Sequence, residues 1–140
     1  AKHLGRYANR LNLPMAIIDK RRMGNTDTVI PTHLIGDVEG KNALLIDDEV
    51  ASAGTLCKAA DFLKEKGAKS ARAAVVHPVL SGSALEKVNN SSLDELIVTN
   101  TIPLGNKPDL CEKIKVLSVA PLFAKAIQRI HNGDSISVLF

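Results

Sequence analysis

Apolar residues fall along this chain in short continuous runs, separated by polar turns and by stretches with helical spacing. The run Ala43-Leu44-Leu45-Ile46 and the segment 71–76 read as buried strands, with further strands expected at 15–18, 95–98 and 114–119. Segments 32–35 and 43–46 flank the turn Gly36-Asp37-Val38-Glu39-Gly40 and could pair as a hairpin. Helical spacing appears over 1–12, where Leu4, Ala8 and Leu11 share a face, over 54–66, and briefly over 83–88. It recurs over 122–130, with apolar residues at 122, 123, 126, 127 and 130 and a stop at Asn132-Gly133. Gly67 suits the position just past the helix 54–66, and Lys64 and Lys66 suit the negative end of its dipole. Residues 19–29 form a polar, basic loop in this reading, with Gly24, Asn25 and two threonines. The alternation predicts an α/β domain over 1–140, a mainly parallel sheet flanked by helices. Ligands then collect beyond the carboxyl ends of the strands, where the loops after Ile18 and after Ile46 leave the sheet.

Composition narrows the picture. Apolar residues make up 45% of the 140 positions but aromatics only 3%, so the core must be aliphatic, as stacked helices and buried parallel strands require. Six basic groups (Lys2, Arg6, Arg10, Lys20, Arg21, Arg22) face two acidic ones within the first thirty residues, so the net +3 is concentrated there. With one Tyr and no Trp the chain lacks a stacking platform for nucleic acid, and a local anionic ligand explains the basic cluster better. Cys57 and Cys111 are isolated and read as reduced thiols of a cytoplasmic protein. No apolar stretch nears the ~20 residues of a membrane span, so no membrane partner is expected. The chain lacks a starting Met and opens mid-pattern, as a piece of something longer would.

The stretch DDEVASAGT at 47–55 carries the chemistry. A buried strand delivers two adjacent carboxylates to a loop of small and hydroxyl residues, and that loop opens a helix. The first N–H groups of a helix have no intrahelical partner and the macrodipole adds positive charge there, so a phosphate binds well. Ser52 and Thr55 add hydroxyl donors, while Ala53 and Gly54 leave room for a ligand near the backbone. Asp47 and Asp48 suit the other end of a phosphorylated sugar, where vicinal hydroxyls donate or hydrated Mg²⁺ sits. Two plainer readings compete: a receiver-type acidic pocket, and a capped strand–turn–helix without ligand. The receiver needs a phosphoacceptor at a strand end, whereas Asp94 precedes the run Leu96-Ile97-Val98. The run Lys20-Arg21-Arg22 either meets an anionic ligand or is a solvated charge run.

The acidic pair, small loop, Gly and Thr resemble the sugar-diphosphate-binding signature of type I phosphoribosyltransferase folds. Further segments narrow the likeness: IIDKRR at 17–22, GDVEGK at 36–41, HPVLSG at 77–82, TNTIPL at 99–104 and RIHNGDSISVLF at 129–140. Together, and in order across nearly the whole chain, they resemble the ribose-phosphate pyrophosphokinases, specifically the C-terminal half. That family transfers pyrophosphate from ATP to the anomeric hydroxyl of ribose 5-phosphate with Mg²⁺, giving phosphoribosyl diphosphate and AMP.

The resemblance implies a C-terminal phosphoribosyltransferase-like domain over 1–140, whose N-terminal partner domain would hold most of the ATP site. It implies that Lys20 and Arg22 are catalytic, neutralising ATP phosphates from a mobile loop, and that Asp47 and Asp48 hold ribose hydroxyls or water on Mg²⁺. Ala51, Ser52, Ala53, Gly54 and Thr55 would bind the substrate, the last four at its 5-phosphate. Ser135 and Ser137 match a tail that forms a regulatory phosphate or ADP site in many relatives, though a plain C-terminal strand is an equal reading. A homo-oligomer, dimer or hexamer, is implied as well. The sequence departs from the family at Ala51, where an acid is usual, at Glu49, where an apolar residue is, and after Arg22, where prolines often follow. His77 reads as a packed or hydrogen-bonded structural residue in preference to a catalytic base. Alone, the piece is expected to make no product. Two other functions compete: a catalytically silent, synthetase-associated regulatory subunit, and a salvage phosphoribosyltransferase that consumes the sugar diphosphate.

Overall fold

A computed structural model describes residues 2–22 and 29–140, and the side chains of residues 2–4, 20–22 and 29–32 lie outside that description. The elements run α1 (Lys2–Leu11), β1 (Ile17–Arg22), β2 (Val29–Ile35), β3 (Asn42–Val50), α2 (Gly54–Glu65) and β4 (Ser70–Pro78). They continue through α3 (Ala84–Asn90), β5 (Glu95–Thr99), α4 (Lys107–Leu110), β6 (Ile114–Leu117) and α5 (Ala120–His131) to a 3₁₀ turn at Ser137–Leu139. β3, β4, β5 and β6 form a parallel sheet in that order, so each crossover passes through a helix, and the fold is the expected α/β class.

One face of this sheet holds the core. Ala71, Ala73 and Val75 of β4 and Leu96 and Val98 of β5 are buried there against Leu56, Cys57 and Ala60 of α2. Alanine at 71 and 73 lets the helix approach closely, and Leu80, Val88 and Leu93 close the layer beneath α3. Val38, Leu63 and Ala68 make a second, smaller cluster with Ala16, Ile18 and Leu34 packed against it, joining the β1–β2 ribbon to α2. On the opposite sheet face Leu44, Val76 and Leu117 are exposed, as are Leu122, Phe123, Ile127 and Ile130 along α5.

Three expectations are corrected. The hairpin of 32–35 with 43–46 does not form: β2 pairs antiparallel with β1, and β3 joins the parallel sheet. The turn explains why. Gly36 sits at φ +104°, where an added Cβ would meet the Met15 carbonyl oxygen at 3.0 Å, so the chain folds tightly back on residues 15–16. Asp37 then accepts from the Glu39 N–H at 3.0 Å and from the Lys41 ammonium at 2.6 Å. Gly40 donates to the Gly67 carbonyl at 2.8 Å, which ties the turn to the end of α2 and steers the chain into the sheet beside β4. Second, the loop expected at 19–29 is strand through Arg22 and again from Val29; residues 23–28, including Gly24, Asn25 and both threonines, lie outside the described residues. Third, the tail at Ser135 and Ser137 is not a strand; Ser137–Leu139 is a 3₁₀ turn. The helix 54–66 does end as expected, with Gly67 at φ +84° donating to the Lys64 carbonyl at 3.0 Å.

Candidate functional site

Strand β3 runs further than its apolar core, because the ladder with β4 continues through Asp47↔Val75, Glu49↔His77 and Val50↔Pro78. Asp47 and Asp48 are therefore strand residues, and consecutive side chains on a strand point to opposite faces. Asp47, Asp48 and Glu49 follow one another at this strand end. All three are exposed. The Asp48 N–H donates to Asp47 Oδ1 at 2.9 Å, which fixes the first carboxylate at the strand end. The expectation that a loop carries both carboxylates is thus corrected: they stand at the carboxyl end of an edge strand.

Only residues 51–53 separate β3 from α2. Ala53 caps the helix with left-handed backbone, φ 59°, a conformation that costs an alanine energy and persists only where the surroundings impose it. Its methyl is buried in the core, so Ala53 shapes the loop from beneath. The first intrahelical bond runs from Cys57 to the Ala53 carbonyl at 2.9 Å. Among the described residues nothing accepts from the N–H groups of Ser52, Ala53, Gly54 or Thr55. A Cβ at Gly54 would meet only Ser52 Oγ, at 3.9 Å, so space stands open over these donors. Ser52 and Thr55 are exposed beside them, and Ala51 is exposed where it leaves the strand. The carbonyls face the other way: Val50 accepts from the Leu80 N–H at 3.0 Å, Ala51 from the Ser81 N–H at 2.9 Å, and Ser52 from the Lys87 ammonium at 3.2 Å. A row of free N–H groups at a helix N-terminus, beside two hydroxyls, is an anion cradle.

The next strand ends carry a second polar group. Thr99 and Thr101 hydroxyls both donate to the Val76 carbonyl, at 2.7 and 3.0 Å. Thr101 Oγ1 also lies 3.0 Å from Nδ1 of the exposed His77 ring, within hydrogen-bond distance. His77 is hydrogen-bonded as expected, but not packed. Asp94, the residue a receiver-type reading would need, is structural: it accepts from the Ala71 N–H at 2.7 Å and pairs with Lys64 at 3.2 Å. The Ala71 N–H, and then Lys64, hold its carboxyl below the ordinary range. Cys57 is buried in the core, and that burial pushes its thiol up.

Lys20 and Arg22 stand on β1, at the end of the antiparallel ribbon away from Ile17↔Ile35, and their side chains lie outside the described set. In the tail, the Ser135 and Ser137 hydroxyls are 2.7 Å apart and Arg129 Nε donates to the Ser135 carbonyl. Neither pair meets the 47–55 site through any described hydrogen bond. A groove of about 920 Å³ opens between α1–β1 and β3–α2, with Asp47 on its wall, but Leu45, Leu56 and Leu63 make it a packing surface. Among the described residues no three His, Cys, Asp or Glu side chains gather into a metal cage. Exposed Asp47 and Asp48, with three carboxylate oxygens left over, still fit Mg²⁺, which keeps its waters and takes one or two carboxylates beside substrate phosphates. Sequence reasoning missed Lys87, since its partner lies 35 residues earlier and no local pattern marks such a pair.

Residues 21–140 match the family model described as phosphoribosyl synthetase-associated domain. The chain is 50% identical over 134 residues to a ribose-phosphate pyrophosphokinase of Helicobacter hepaticus, covering 96% of this chain and 42% of that protein. It is 54% identical over 127 residues to one of Xanthomonas axonopodis pv. citri, covering 90% and 39%. The crystal structure of phosphoribosylpyrophosphate synthetase from Mycobacterium smegmatis superposes with a TM-score of 0.76 at 34% identity, over 91% of this chain and 40% of that one. The chain thus spans about two-fifths of the length of these relatives. Those shares measure length and not position, so the C-terminal placement expected above is not confirmed by them. No helix of the described residues is long and apolar enough to cross a membrane.

Proposed function

The chain belongs to the phosphoribosyl synthetase-associated domain family, and from that premise we propose that the longer protein containing it is a ribose-phosphate diphosphokinase. It transfers pyrophosphate from ATP to the anomeric hydroxyl of ribose 5-phosphate. The observation that carries the reading is the row of unpartnered N–H groups at Ser52–Thr55, set one short loop beyond the carboxylates that end β3. Residues 1–140 act as one phosphoribosyltransferase-like domain. The 5-phosphate lies on the 52–55 donors, and Asp47 and Asp48 accept from the ribose hydroxyls, which orients the anomeric oxygen. Asp47 and Asp48 would hold Mg²⁺ through water, and the bound ion would supply charge neutralisation to the phosphates. Lys20 and Arg22 add positive charge where negative charge builds on the transferred group; such chemistry is mostly positioning and electrostatics. The rest of the ATP site comes from the remainder of the longer protein, so the 140-residue chain alone makes no product.

The reading extends to assembly and control. The exposed Phe123, Ile127 and Ile130 of α5 support a homo-oligomer, dimer or hexamer. Ser135 and Ser137, beside Arg129, form part of a regulatory phosphate or ADP site. The two free cysteines agree with a cytoplasmic location.

The test is to give the longer protein ATP, Mg²⁺ and ribose 5-phosphate and follow AMP and phosphoribosyl diphosphate together. Equal formation of both is expected. A second reading, a silent synthetase-associated subunit, is favoured by Ala51 in place of the usual acid. It predicts neither product from this protein alone, and a change in product formation when an active synthetase is added. Consumption of phosphoribosyl diphosphate with a nucleobase would instead identify a salvage transferase.

A further inference from the structure

The 50–53 loop is held by a part of the chain far away in sequence. Three consecutive carbonyls, of Val50, Ala51 and Ser52, accept in turn from the Leu80 N–H, the Ser81 N–H and the Lys87 ammonium. Every peptide here is trans, and in a trans peptide the N–H points opposite to its own C=O. Fixing the Ala51 and Ser52 carbonyls toward the β4–α3 connection therefore aims the Ser52 and Ala53 N–H groups away from it. The bracket is itself built firmly. Leu80, left-handed at φ 47°, is buried, and Ala84 and Val88 anchor α3 in the core on either side of Lys87.

Lys87 differs from the other two members of the bracket because it is charged and exposed. Among the described residues its ammonium has one acceptor, the Ser52 carbonyl, and no carboxylate within ion-pair distance. An ammonium carries three donors, so two remain for an oxygen outside the protein. It stands on the carbonyl side of the Ser52 peptide, across that peptide from the donors that open the cradle.

We propose that Lys87 is a positioning residue for the phosphate loop, holding the Ser52 peptide so that its neighbouring N–H groups converge on the 5-phosphate and adding positive charge beside it. This rests on the reading of Ser52–Thr55 as the phosphate cradle. An uncharged side chain of similar length removes both effects, whereas arginine keeps the charge and a donor to the carbonyl.

The test compares the 140-residue chain with Lys87→Met and Lys87→Arg, using calorimetric titration with ribose 5-phosphate and amide hydrogen exchange without ligand. The Met variant is expected to bind about five- to twentyfold more weakly, the range for losing a charge-assisted contact that is partly solvated. The amides of Ser52–Thr55 should exchange faster in it, while the melting temperature stays near that of the parent. The Arg variant should recover most of the affinity and the slow exchange, which a merely space-filling role would not restore. Equal affinity and equal exchange in parent and Met variant would overturn the proposal, as would an Arg variant as weak as Met. If the parent itself binds no ribose 5-phosphate, the cradle reading fails instead; the charge role falls with it, and the exchange data alone then decide the bracket.

Discussion

The two basic-and-acidic regions of this molecule are built on opposite plans. The 47–55 crossing is part of the main sheet: β3 pairs with β4 along its length, Ala53 and Leu56 are buried, and three carbonyls are tied to residues 80–87. The ribbon that carries Lys20 and Arg22 is a separate two-stranded sheet, joined to the rest through Ile18, Leu34 and the small cluster at Leu63. An isolated two-stranded ribbon is marginal in water, so its position depends on that small contact. The difference separates two tasks. A site that must bind a substrate is fixed in advance, where donors cost no reorganisation. Lys20 and Arg22, which we propose act as charge develops, stand on the separate ribbon.

The largest effect should come from the ribbon. In the longer protein Lys20→Ala and Arg22→Ala are each expected to lower turnover by about 10²–10³, the scale for removing one electrostatic donor, with ribose 5-phosphate affinity nearly unchanged. Steady-state kinetics with both substrates varied would decide it, and a raised apparent KM at normal turnover would move these residues to the binding side of the comparison. Stability should show the reverse asymmetry. Leu80→Ala, at 2% exposure beneath the loop, should cost about 2–5 kcal/mol in urea unfolding. Ile35→Ala, at 64% exposure on the ribbon, should cost no more than about 0.5 kcal/mol.

Much of the first region is legible in the sequence, and little of the second. The run 43–46 and the helix after Gly54 announce themselves as an apolar run and a helical stripe, although β3 is an edge strand with Leu44 exposed. The likeness of DDEVASAGT to a sugar-phosphate loop then follows from residue types alone. The extension of β3 through Asp48 and Glu49 is hidden, because exposed carboxylates at a strand end look like a loop. The continuation of β1 past Ile18 is hidden for the same reason: Asp19-Lys20-Arg21-Arg22 has no alternation, and a register irregularity falls between Asp19 and Lys20. Its partner β2 contains Pro31, which argues against a strand by itself. Helix α4 has four residues and a proline in its first turn, too short for any period to show. The Lys87–Ser52 contact depends on the finished fold.

Two smaller effects sharpen the picture of the fixed region. Thr55→Val removes one hydroxyl donor at nearly constant shape and should weaken ribose 5-phosphate binding about ten- to a hundredfold, since a bond to a charged group is worth ~1.5–3 kcal/mol. An unchanged titration would remove Thr55 from the cradle. Asp94 sets the smallest effect, in acid. Its carboxyl is held low by the Ala71 N–H and then Lys64, so its contribution is complete above the unfolded value of about 3.9 and is lost as pH falls through the lower folded one. Because the group is largely solvated, Asp94→Asn should flatten the acid limb of the melting curve by only about one or two degrees.

The central claim is that the donors opening α2 hold the phosphate while the ribbon does not. Titrating the ¹⁵N-labelled 140-residue chain with ribose 5-phosphate tests it directly, residue by residue. The account predicts the largest amide shifts at Ser52, Ala53, Gly54 and Thr55, smaller ones at Asp47 and Asp48, and none along Ile17–Ile18 or Leu34–Ile35. Shifts centred on the Ser135–Ser137 tail or on the ribbon, with the 52–55 amides unmoved, would contradict it.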